Sequence, residues 1–425
     1  MKALFPKNRQ YYKFSLYGFL KNLKFFDPFI ILFFREMGFS FLEIGTLFSI
    51  REIAKNVLEI PTGIIADGFG RRVSMIYAFV SYISSFMIFY FFPFYGIYVI
   101  AMLLFAGGEA FRTGTHKAMI MEHLRINSLL DLKVDYYGHT RGWAQTGSAV
   151  SALIAAALVF YTGGYRIIFL ASVVPYVFAL FLMISYPKEL DGEISGDKKA
   201  GALQKAKNKA LFTLKSFAGI FKSRAALGAL FNSSLYDGVF KTVKNYLQPV
   251  IGSYSLMLPV LLSYEEDKKV AVVIGGVYFI LYILASVSAG SSGAVTRKMR
   301  SDTWAINTYF LTGAFLIIAS GVSLIFGFRL SAIVIFVLYN MIHNFKRPVN
   351  VGYISEQISG KVMASGLSVE SQLTALFVAV FAPLMGFVAD RVGVGHGFAM
   401  MAVVLAVSFP FVRVGKGARC FKETH

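Results

Sequence analysis

Cysteine is almost absent: Cys420 stands alone in 425 residues, which excludes an intrachain disulfide and a metal centre built on cysteine. Charge is sparse as well, at 15% of residues, where a water-soluble domain carries about a quarter. Acid is scarcer than base, with 23 Asp and Glu against 42 Lys and Arg and a formal net charge of +19. So basic a chain invites a nucleic-acid reading, but the cations fall mainly between apolar blocks, as they do in cytoplasmic loops, so no nucleic-acid partner is expected. The pairs Gly107-Gly108 and Gly163-Gly164 lack the trailing Lys-Ser/Thr of a phosphate loop and read as turn or close-packing sites. His116, His123 and His139, with Glu122 and Asp135, form no compact ligand set. No nucleophile–base set stands out, so neither a metal, a cofactor nor an enzymatic activity is expected. A small-residue cleavage site is also missing after the first apolar segment, which therefore reads as a retained helix.

What the chain has in plenty is apolar surface: 56% of residues are hydrophobic, with 43 Phe and 23 Tyr, and the mean hydropathy is +0.62. In water that content demands an unusually large dry core, whereas lipid covers the outer faces of many helices. Apolar runs place spans at 14–35, 42–66, 73–92, 95–120, 141–161 and 165–186, then at 225–249, 270–296, 303–326, 329–345, 362–386 and 395–413. The expected fold is an all-α integral membrane protein with twelve transmembrane helices in two pseudo-symmetric six-helix bundles, 1–186 and 225–425. A polar connector, 187–224, joins them, and 203–223 within it can lie on the bilayer through Leu211, Leu214, Phe217 and Phe221. Lys and Arg crowd the termini, the connector and the loops on that side. The other side carries Arg35, Arg166, Lys268, Lys269, Arg329 and Arg391, so the connector and both termini are expected in the cytoplasm.

The stretch Gly63-Ile-Ile-Ala-Asp67-Gly-Phe-Gly70-Arg71-Arg72 interrupts two long apolar segments. Gly68 and Gly70 permit positive φ, and Asp67 can cap the next helix or pair with Arg71 or Arg72. It resembles the loop between the second and third helices of the major facilitator superfamily of secondary transporters, with Gly68 where that family usually has Arg. Gly386-Phe-Val-Ala-Asp390-Arg391-Val-Gly393 echoes it and is expected to turn the chain between helices eleven and twelve. The segment Arg347-Pro348…Tyr353…Gln357 with Ala364-Ser365-Gly366-Leu367-Ser368 resembles the turn from helix ten into eleven of bacterial members. The resemblance implies a transporter of the bacterial inner membrane, working as a monomer among lipids. It also makes Gly63, Asp67, Gly70, Arg71 and Arg72 a conformational gate.

Charges left inside spans sketch the cavity, because an ionised group at mid-bilayer needs water, a ligand or a partner. Helix one carries Lys21, Lys24 and Asp27, three apart on one face. Helix two carries Arg51, Glu52, Lys55 and Glu59, with Lys55 and Glu59 spaced to pair. Helix four carries Glu109, Arg112 and His116, and helix seven Asp237, Lys241 and Lys244, with Asp237 spaced for Lys241. Helix ten offers Asn340 and His343, and helix eleven Glu370. Lys24, Arg51, Arg112, Lys241, Lys244, Asn340 and His343 are expected to meet substrate, and Asp27, Glu109, Asp237 and Glu370 to hold coupling protons. The modest surplus of positive charge favours a small anionic solute carried by alternating access on a proton gradient. A proton-driven extruder of amphipathic drugs or lipid-like compounds is the second reading, since Phe and Met can line an adaptable pocket.

Overall fold

A chain whose backbone amides have no water to bind must satisfy them along its own axis, so apolar runs of this length become helices. The computed structural model describes residues 6–192, 224–259, 264–357 and 363–415; the expected surface helix over 203–223 lies outside them. In chain order the helices are α1 (Arg9–Lys21), α2 (Ile30–Glu36), α3 (Phe41–Phe69), α4 (Arg71–Phe91), α5 (Tyr95–Arg112), α6 (Thr115–Ile126), α7 (Lys133–Thr162) and α8 (Ile167–Ile184). After the connector come α9 (Arg224–Val243), α10 (Leu247–Ser255), α11 (Glu266–Thr296), α12 (Asp302–Ile325), α13 (Arg329–Gln357), α14 (Met363–Val392) and α15 (Val394–Val412). Paired as α1/α2, α5/α6 and α9/α10, they make the twelve expected membrane segments.

Among the described residues, eight segments are long and apolar enough to cross a membrane on composition alone. The four that fail that test are α1/α2, α3, α9/α10 and α13. They are the segments that carry Lys21 and Lys24, Arg51 and Lys55, Asp237 and Lys241, and His343. Their helical form is explained by neighbours that shield their polar faces from lipid.

The helix bounds correct four expectations. Helix one is not continuous: α1 ends at Lys21, Asn22 caps it, and turns occupy the residues up to Phe29, so Lys24 and Asp27 sit in a break rather than on a helix face. Helix four breaks after Arg112, where Gly114 takes φ +78°, so His116 starts a new helix and is not one turn above Arg112. In the other direction, α13 runs twelve residues past the expected end at 345 and α7 begins eight residues before 141. Hydropathy ended both where charge appeared, although a polar helix face turned toward protein needs no apolar run.

The chain gathers into two compact units. The first holds α1, α2, α3 from Ile50 onward, α4 to α8, and α11 as far as Tyr282. Its centre is aromatic: the Phe26 and Phe169 rings stack at 5.6 Å and Phe86 meets Tyr176 edge-on at 4.9 Å. Phe29, Phe33, Phe34, Phe79 and Phe86 are buried, so much of the phenylalanine is core rather than pocket lining. The second unit holds Gly38–Ser49, α9, α10, α11 from Ile283, and α12 to α15. Part of its core is Leu230, Ile306, Ile354 and Val369.

Candidate functional site

Glu109, in the last turn of α5, is the point on which the first unit's buried charge converges. Its carboxylate lies 3.0 Å from an Arg112 guanidinium nitrogen and 3.9 Å from the ammonium nitrogens of both Lys24 and Lys55. The Tyr82 hydroxyl donates to it at 2.7 Å and accepts from Arg112 Nε at 3.2 Å. Lys21 adds to the same positive field. One carboxylate is thus shared among several cations in a low-dielectric setting. The break in α1/α2 lets Lys24 reach this point, and it also frees Asp27, which accepts from the Tyr282 hydroxyl at 2.7 Å.

Lys55 was expected beside Glu59 on its own helix; its ammonium is found at Glu109 instead. Arg51 pairs with its sequence neighbour Glu52 at 3.0 Å. His116 lies flat on the Tyr17 ring at 3.6 Å with Nε2 3.4 Å from the Tyr186 hydroxyl. It packs as part of an aromatic stack.

A second polar cluster stands in the second unit. Asp237 on α9 meets His343 Nε2 on α13 at 3.1 Å, and the imidazole lies face to face with Phe240 at 3.6 Å. Glu370 on α14 accepts from Ser233, which in turn accepts from Asn350 at 3.1 Å. Asn340 accepts from Asn344 at 2.7 Å, one turn along α13. Lys241 and Lys244 are both half-buried, on α9 and on the single 3-10 turn Lys244–Tyr246 that follows it. The residue that hydropathy hid is Lys346, 1% exposed. Its ammonium has no hydrogen-bond partner among the described residues and rests 4.7 Å from the Tyr236 ring and 5.7 Å from that of Phe310. It follows the expected end of helix ten at 345 and so falls outside the expected spans. A Tyr-Asn-x-x-His-Asn-x-Lys strip with continuing helical spacing was the signal present.

The Gly63–Arg72 stretch is tighter than expected. Gly63 and Gly68 lie within α3, and the whole reversal falls on Gly70, whose φ of +97° a β-carbon would oppose. The side chain of Asp67 lies outside the described ones; Asp191 Oδ1 caps α4 by accepting the Arg72 N–H at 2.7 Å. Arg72 also donates to the Tyr186 carbonyl at 2.9 Å, and Arg71 to that of Ala118 at 3.3 Å. The chain just after α8 thus pins the turn. Asp191→Ala is expected to cost about 1 kcal/mol of stability through the lost cap, read as a lowered Tm in detergent; an unchanged Tm would put the cap elsewhere.

Long apolar helices that carry paired charge define a multi-pass membrane protein. The comparisons agree. The family model described as "Major Facilitator Superfamily" matches residues 19–371. An uncharacterised MFS-type transporter, YxaM of Bacillus subtilis (strain 168), is 31% identical over 90 residues, a match covering 21% of this chain and 23% of that protein. The nucleoside transporter NupG superposes with a TM-score of 0.75 at 13% identity over 97% of this chain and 100% of that one. A D-xylose-proton symporter gives 0.70 at 13% identity over 96% and 97%, and the peptide transporter POT 0.69 at 12% over 97% and 96%. The chain belongs to the Major Facilitator Superfamily, a family of secondary transporters.

Proposed function

We propose that this transporter carries a small anionic solute by alternating access, coupled to protons, across the bacterial inner membrane. The observation that carries the reading is the Glu109 centre, where Lys24, Lys55 and Arg112 converge on a single carboxylate. A solute carboxylate or phosphate is drawn to such a concentration of cations. Asp27, Glu109, Asp237 and Glu370 hold the coupling protons, and the likeness to a D-xylose-proton symporter supports that part. Lys24, Arg51, Arg112, Lys241, Lys244, Asn340 and His343 face the solute during the cycle. Residues 1–186 and 225–425 form the two bundles, 187–224 connects them, and both termini lie in the cytoplasm, as the distribution of Lys and Arg supports. The monomer is the working unit.

Purified protein in proteoliposomes, screened with labelled mono- and dicarboxylates, phosphate esters and neutral sugars under an imposed pH gradient, tests this. Saturable uptake of an anion that counterflows is expected, with Lys24→Ala and Asp27→Asn each reducing it at least tenfold. Transport only of neutral or cationic amphiphiles would overturn the anionic reading. Uptake indifferent to the pH gradient and to Asp27→Asn would overturn the coupling.

A further inference from the structure

α3 is about 43 Å long at 1.5 Å per residue, and it is divided: Gly38–Ser49 belongs to the second compact unit and Ile50 onward to the first. The first turn of any helix leaves N–H groups without intrahelical acceptors. Here Ser40 and Glu43 close a capping box, Ser40 N–H donating to Glu43 at 2.8 Å and Glu43 N–H to Ser40 Oγ at 3.2 Å. The next two donors go to a different helix. Asp390, in the last turn of α14, accepts the Phe41 N–H on one carboxylate oxygen at 2.9 Å and the Leu42 N–H on the other at 2.8 Å. A carboxylate astride a helix N-terminus gains from charge-assisted bonds and from the helix dipole together.

The backbones are already close there. A β-carbon on Gly386 would strike the Phe41 carbonyl, and one on Gly45 the carbonyl of Ala382. Ser49, 6% exposed, donates to the Ala379 carbonyl at 2.7 Å. Asp390 belongs to the motif whose spacing, Gly386-x3-Asp390-x2-Gly393, repeats Gly63-x3-Asp67-x2-Gly70. The two closing glycines take the same backbone angle, φ +96° and +97°. One copy of the motif thus sits at the Gly70 end of α3, and the other grips the Phe41 end.

We propose that Asp390 is a latch of the transport cycle: its carboxylate holds Gly38–Ser49 against α14, and its release lets that segment separate from the second unit. The inference needs the chain to alternate between states, but neither an anionic solute nor a proton gradient, so it stands or falls separately from those parts of the proposed function.

The test uses the full chain with Cys420→Ser and Ser49→Cys, purified in detergent, and reads the rate at which a polar maleimide labels position 49. The parent is expected to label slowly. Asp390→Asn, which keeps the shape and removes the charge, should label roughly tenfold faster. Leu42→Pro removes one of the two donors in the first turn, where the lost N–H breaks no intrahelical bond, leaves the carboxylate in place, and should act in the same direction. Gly386→Ala should also speed labelling by wedging the backbones apart, and Arg391→Gln should leave the parent rate. Faster labelling in Gly386→Ala with the parent rate in both Asp390→Asn and Leu42→Pro would show that the segment moves without Asp390 as its latch. The parent rate in all of them would mean that the segment does not separate, and the latch falls together with alternation at this helix.

Discussion

Glu109→Gln is expected to lower stability by about 3–5 kcal/mol and to abolish solute transport. The amide keeps the size of the carboxylate and can still accept from Tyr82, so the change is one of charge and not of packing. It leaves Arg112, Lys24 and Lys55 facing one another, with the Glu109 oxygens at 3.0 and 3.9 Å no longer balancing them. Breaking a buried ion pair by removing one partner is strongly destabilising, and here three cations lose the same carboxylate at once. Like charges at this spacing repel more strongly in a low-dielectric interior than in water. The readouts are Tm in detergent, where a drop of several degrees is expected, and uptake in proteoliposomes. Lys55→Met added to Glu109→Gln should return part of the lost stability, because it removes one stranded charge, and the non-additivity measures the coupling. A Glu109→Gln protein that melts within a degree of its parent would mean that water, not Glu109, balances these cations.

The fold was legible in the sequence for reasons that are also local. Eight segments announce themselves by apolar length, and the turn at Gly70 by a glycine beside two arginines. What hydropathy could not supply were the places where polarity is shielded by protein. α13 continues through Lys346 and Asn350 because those side chains meet Tyr236 and Ser233 rather than lipid, and a window average reads such residues as loop. Spacing along one helix was a poor guide to partners: Lys55 passes over Glu59 for Glu109, and Asp237 takes His343 from another helix. An i,i+4 pair contributes only about 0.2–0.5 kcal/mol, which a buried cross-helix contact readily exceeds. Glu109 with Arg112 was visible because both lie in one turn of α5 ahead of the break. The Asp27–Tyr282 contact was not visible, since the two residues are 255 positions apart.

Lys346→Met should move stability and transport in opposite directions. The lysine is 1% exposed and its ammonium has no hydrogen-bond partner among the described residues. The aromatic faces of Tyr236 and Phe310 offer it about 0.5–2 kcal/mol of cation–π attraction, against a desolvation penalty of several kcal/mol for an ion that leaves water. Methionine has nearly the same length, fits between two rings, and makes favourable sulfur–aromatic contacts. The substitution is therefore expected to stabilise the protein by about 1–3 kcal/mol, seen as a higher Tm in detergent. Asp237 and Glu370 both contribute to the electrostatic field at this ammonium, so its removal deprives the second cluster of a charge with which either carboxylate can exchange during the cycle. Uptake is expected to fall at least tenfold for that reason. Lys346→Arg separates a need for charge from a need for shape: the guanidinium keeps the positive charge but is too broad for the slot between the rings, so Tm should drop. A lysine that serves only to hold the helices together predicts the reverse for Lys346→Met, a lower Tm with transport reduced merely in proportion to the folded fraction, and that result would remove Lys346 from the mechanism.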